Sequence, residues 1–106
     1  MAWLFLFIAG LLEVGWAYFM KESDGFSKLN PTISTFVLMF LSFGLLSVAM
    51  KSLPLGTAYA VWTGIGALGA FIVGIVVLGE EASWMRLASA GLILLGLIGL
   101  KLTSEH

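Results

Sequence analysis

The sequence predicts an all-α membrane protein, a four-transmembrane-helix protomer forming one domain over residues 1–106, and two observations carry the prediction. Composition is the first. The chain is 10% charged and 60% hydrophobic with a mean hydropathy of +1.09, whereas a soluble domain is about 25% charged. Spacing is the second: charges cluster so as to leave apolar runs close to the roughly 20 residues that cross a bilayer as a helix.

The first span covers about 2–20, broken only by Glu13. A cleaved signal peptide would also be apolar here, but it would carry a basic start and no acid in its centre, so a mature span is expected. Lys21, Glu22, Asp24 and Lys28 mark a polar loop with Gly25 as its turn residue. The second span, about 31–50, opens on Asn30-Pro31, a cap followed by a residue that loses no needed amide. The short link from Lys51 to Pro54 makes spans two and three antiparallel neighbours. Span three is expected over about 56–78, tilted or bent because the uncharged run exceeds one perpendicular crossing. Glu80-Glu81 closes it, and Ser83 caps a fourth span over about 84–102 whose Arg86 and Lys101 can reach the headgroups.

Several function classes fall away on composition. Net charge is −1 with no basic run, which gives no basis for binding nucleic acid or anionic lipid through a charged patch. There is no cysteine, and the one histidine, His106, is expected in a solvated tail. No Ser/His/Asp set, metal-ligand cluster or phosphate loop is present, so neither an enzyme nor a cofactor or metal site is expected. GIGALG at Gly64 to Gly69 matches a dinucleotide fingerprint by letter, but it lies within an uncharged span where no pyrophosphate can sit. Its glycines fit a hinge at Gly64 and Gly66, or close helix packing.

Loop charges are nearly balanced: Lys21, Lys28 and Arg86 on one side, Lys51 and Lys101 on the other. Such a chain is expected to insert both ways and to form an antiparallel, dual-topology homodimer. Small residues mark where helices touch. Ser89 and Gly96, seven residues apart on one face of span four, are the expected dimer contact.

Glu13 is the candidate functional residue. An acid at a helix centre costs about 2.5 to 3.5 kcal/mol on insertion scales and is a functional candidate by default; the alternative is a protonated carboxyl bonded between helices. Gly10 and Trp16 share its face at i−3 and i+3. On span three Tyr59, Trp62, Thr63 and Gly66 form a second face, and span two adds Ser42 with Phe43 beside it. Aromatic faces around a carboxylate suit an organic cation. Two Glu13 side chains facing one cavity would hold either protons or a cation, the minimum physics of a proton-coupled antiporter.

The first-span glutamate in a chain of this length, with KSLPLGTAYAVWTGIGALGA at Lys51 to Ala70, resembles the small multidrug resistance transporters over the whole chain. Trp16-Ala17-Tyr18-Phe19-Met20-Lys21 with Gly56-Thr57-Ala58-Tyr59 is similar to the guanidinium-exporter branch; the quaternary-ammonium branch typically has glycine in place of Trp16. The resemblance implies an inner-membrane, multi-pass antiparallel homodimer that exports guanidinium ions against protons by alternating access. Glu13 would be the shared proton and substrate site, with Trp16, Ser42, Tyr59 and Trp62 orienting it or lining the pocket. Gly64 to Gly66 would kink differently in the two subunits. Gly15, Tyr18-Phe19 and Glu22 depart from the usual pattern, and Gly15 is expected to loosen the wall near the site. The competing readings are a polyspecific exporter of hydrophobic quaternary cations and, from another class, a small membrane protein that modulates a partner.

Overall fold

The computed structural model describes residues 1–103, so the expected tail residue His106 lies outside the described residues. It contains four helices, α1 (Ala2–Glu22), α2 (Leu29–Ala49), α3 (Leu55–Val76) and α4 (Trp84–Thr103). Each is long and apolar enough to cross a membrane. Large apolar side chains such as Phe7, Phe40, Ile72 and Leu95 are exposed, as hydrocarbon contact requires.

Helix α1 is the hub, packing mainly against α2 and then α3, while α4 packs mainly against α3 and reaches α1 where Lys101 lies over the Trp3 ring, 4.5 Å from its centre. The buried core gathers at the end of the α2–α3 link: Leu6 and Ala9 of α1, Leu46 and Ala49 of α2, Leu53, and Ala58, Val61 and Trp62 of α3. Leu53 is buried and its N–H bonds Ala49 O at 3.1 Å, which pins the tight link. Glu13 sits one turn beyond this core along α1. At the other end of the bundle the buried residues are Ser23, Thr35 and Gly74 in place of large apolar side chains.

Two local expectations change. Helix α2 begins at Leu29 with Lys28 in the cap position, so Asn30 does not cap it and Pro31 is its third residue. The first four amides of any helix lack intrahelical acceptors, so Pro is compatible with all of these positions. The first loop is shorter than expected because α1 runs through Lys21 and Glu22. Gly25 does turn it, at φ +72°, but Asp24 (φ +50°) and Phe26 (φ +65°) share the left-handed conformation. Stacking of Phe26 on Phe36, centroids 5.7 Å apart, offsets that strain.

Close approach of α1 to α3 depends on glycine alternating with larger residues. A side chain on Gly10 would meet Ile65 Cγ2 at 2.6 Å, and one on Gly69 would strike Val14. Gly64 does the same for α4, where its β-carbon would lie 2.5 Å from Leu97. Without a hydrophobic force between helices in lipid, this interlocking contact is what holds them. Gly15 is used likewise, with Leu38 of α2 filling its missing side-chain space at 3.1 Å; it tightens the α1–α2 contact rather than loosening a wall.

Candidate functional site

The candidate site is built around Glu13, midway along α1. Its carboxyl group lies in the space left by the missing side chain of Gly66 on α3, where a β-carbon would clash with Oε1. Oε1 is buried and accepts no hydrogen bond among the described residues. No basic side chain of the described residues lies within ion-pair distance of it. One turn along, the indole Nε1 of Trp16 is likewise buried without an acceptor. A buried acceptor and a buried donor left open on one helix face are costly unless something else completes them.

Around that pair the protein is tied down by hydrogen bonds. Trp62 Nε1 donates to Ser42 Oγ at 3.0 Å, and Ser42 Oγ donates to Ala9 O at 2.7 Å. In an α-helix the carbonyl of residue 9 also takes the N–H of residue 13. Ser42 therefore fastens α2 and α3 to the turn of α1 that carries Glu13. Its hydroxyl is committed to this link, so its role is positional. Ser42→Ala should strand the buried indole N–H and lower stability by about 1 to 2 kcal/mol. Thermal unfolding in detergent checks this; an unchanged midpoint would mean that the link does not hold α1.

Aromatic rings continue from this anchor. Trp16 meets Phe43 edge-on with centroids 6.4 Å apart, Phe43 meets Trp62 at 5.8 Å, and Trp62 meets Tyr59 at 5.6 Å. The row joins α1, α2 and α3 on the side of Glu13. Phe43 links the α1 ring to the two on α3. Sequence reasoning gave Phe43 little weight, although its place next to Ser42 was a usable signal.

The other expected site residues are distributed differently. Gly10 is buried against Ile65, which makes it a helix contact. Trp62 is buried and Tyr59 is 54% exposed, its ring against Trp62. Thr63 is exposed. Gly64 and Gly66 lie in an unbroken α3, the first against Leu97 and the second against Glu13. Ser89 is exposed with its hydroxyl bonded back to Met85 O at 2.9 Å, and nothing lies within 4 Å of the position a side chain on Gly96 would take. A cleft of about 360 Å³ between α3 and α4, lined by Phe71, Met85, Arg86 and Ser89 among others, does not include Glu13. The unsatisfied buried groups, and not the size of a cleft, mark the candidate site.

A family model described as Small Multidrug Resistance protein matches residues 1–94. The Guanidinium exporter of Escherichia coli (strain K12) is 62% identical over 105 residues, covering 99% of this chain and 100% of the relative. That of Yersinia pseudotuberculosis serotype I (strain IP32953) is 65% identical over 104 residues, 98% of this chain and 100% of the relative. The Guanidinium exporter of Salmonella typhimurium (strain LT2) is 61% identical over 105 residues, with 99% and 100% covered.

Proposed function

The chain belongs to the small multidrug resistance family, and from that premise we propose that it is a proton-coupled antiporter exporting guanidinium or small substituted guanidinium cations. It is a multi-pass membrane protein of the inner membrane. The observation that carries the mechanism is the Glu13 carboxyl seated in the space at Gly66 with Oε1 buried and unpartnered. A carboxylate in such surroundings is stable only with a proton or a cation on it. Occupancy by one therefore excludes the other, and that exclusion couples the two flows. The naming of relatives that share over 60% of the sequence supports guanidinium as the cation. Its planar N–H groups match a carboxylate through paired, charge-assisted hydrogen bonds.

The working unit in this proposal is an antiparallel homodimer. Helix α4 has no buried residue, and Ser89 and Gly96 lie exposed on it as a face that a second copy can pack against. Two Glu13 side chains then face one cavity, flanked by Trp16, Phe43, Tyr59 and Trp62. Alternating access follows if α3 bends differently at Gly64 to Gly66 in the two subunits, exchanging the open side.

Proteoliposome transport tests the proposal. Guanidinium is expected to drive proton movement, while transport of bulky aromatic cations with no response to guanidinium would turn the assignment to the quaternary-ammonium reading. Purified protein that exchanges nothing would favour a modulator of another membrane protein. A pH dependence follows from shared occupancy, with its sign set by charge. Protonating Glu13 removes the charge the cation needs, so guanidinium affinity should fall as pH falls, by up to about tenfold per pH unit for each proton displaced. Equilibrium binding across acid to alkaline pH checks it; constant affinity would exclude a shared carboxylate.

A further inference from the structure

The link between α3 and α4 carries a second carboxylate built against the same helix face. After α3 the chain reverses at Gly79 (φ +73°), and Glu80 N–H bonds Gly74 O at 2.9 Å. That bond lays the Glu80 carboxyl over Gly74, in the space a side chain there would fill. Gly66 and Gly74 therefore each receive a carboxyl group, Glu13 and Glu80, with eight residues or about 12 Å of helix between them. A small cleft of about 70 Å³ lined by Val14, Tyr18, Gly74 and Glu80 among others lies in the α1–α3 seam.

Glu80 is met by a guanidinium that belongs to the protein itself. Arg86 Nη2 lies 3.8 Å from Glu80 Oε1, its Nη1 donates to the Glu81 carbonyl, and its guanidinium carbon is 5.1 Å from the centre of the Phe71 ring. Carboxylate, carbonyl and aromatic face together are a recognition set for a planar guanidinium. The carboxylate contact is longer than a hydrogen bond and both side chains are partly exposed, so it opens readily.

Building on guanidinium as the transported cation, we propose that Glu80, Phe71 and the Glu81 carbonyl form a second guanidinium-binding position at the α3–α4 link, which Arg86 fills as a tethered competitor. A free guanidinium takes this position by displacing Arg86, and is thereby concentrated at the α3–α4 link. The peripheral position does not replace the central one.

Equilibrium dialysis of radiolabelled guanidinium with the full-length protein in detergent tests this, in a Glu13→Gln background that silences the central site. Adding Arg86→Gln removes the competitor and is expected to tighten binding by about fivefold or more. Adding Glu80→Gln as well is expected to cancel that gain. No gain from Arg86→Gln, or a gain that survives Glu80→Gln, overturns the proposal. Arg86→Lys keeps the loop charge that influences insertion and serves if Arg86→Gln does not assemble. It lacks the planar fork, so a smaller gain in the same direction is expected, and no gain overturns the proposal equally. Failure of the transport reading is seen separately, as unaltered protein that moves no protons in response to guanidinium, and it leaves the dialysis comparison intact.

Discussion

Replacing Glu13 with Gln is expected to abolish guanidinium-driven proton movement, lowering the exchange rate by about a hundredfold or more. Gln has nearly the same size and still fits the space at Gly66, so the bundle is not disturbed. It carries no charge at any pH. It can neither balance a cation nor exchange a proton, and both halves of the coupling are lost with one substitution. The magnitude follows from hydrogen bonds to a charged partner, worth about 1.5 to 3 kcal/mol each. Losing two of them corresponds to roughly a hundredfold or more, since about 1.4 kcal/mol is tenfold. A pH-sensitive dye trapped in proteoliposomes reads the effect. Exchange within tenfold of the unaltered protein would remove this carboxylate from the centre of the mechanism. Glu13→Asp keeps the charge but withdraws it by about 1.5 Å from Gly66, and an intermediate loss is expected.

Gly66→Ala is the second large effect, and here stability and function should part. Ala favours helix over Gly by up to about 1 kcal/mol, which works toward a firmer α3. The new methyl, however, would occupy the position of the Glu13 carboxyl. That group ends a flexible side chain, so it swings away while the helices stay in place. The unfolding midpoint is expected to hold or rise, while guanidinium binding weakens by about tenfold to a hundredfold, the scale on which a misplacement of about 1 Å acts. Measuring binding as well as turnover separates two causes. A lost hinge would spare binding and slow turnover, whereas a displaced carboxyl weakens binding itself. Gly10→Ala supplies the contrast, because its methyl would lie 2.7 Å from Ile65 Cβ, an atom held close to the backbone. There the helix contact gives way, at a cost of about 1 to 3 kcal/mol. Unchanged binding in Gly66→Ala would show that the seat of the carboxyl on Gly66 has no role.

These two predictions draw on different levels of information. Glu13 stood out from composition alone, as the one acid in an apolar run, and Trp16 from its helical spacing to Glu13. The partners that give Glu13 its surroundings were less legible. Ser42 and Trp62 were in view as polar groups near the site, but their bond to each other and to the Ala9 carbonyl depends on how α2 and α3 are turned about their axes. Thr63 sits one residue from Trp62 and is exposed, because a single step along a helix rotates the side chain by about 100°. Gly15 was read as looseness, and Gly66 as a hinge or a close-packing point; in the fold each receives a side chain from a neighbouring helix.

Charge and hydropathy along the chain were enough to determine a membrane protein of four spans, the short links that make neighbours antiparallel, and one carboxyl placed where it must be accompanied. Only the tertiary structure decided that the carboxyl lies on Gly66, that Ser42 ties three helices at its level, and that Glu80 repeats the arrangement on Gly74. The reason is physical. In a soluble helix the boundary between water and core writes an amphipathic stripe into the sequence, and the stripe reveals which face turns inward. In a bilayer both lipid and neighbouring helix are apolar, so α1, α2 and α3 carry no such stripe, and their rotation is settled by which small residue receives which side chain.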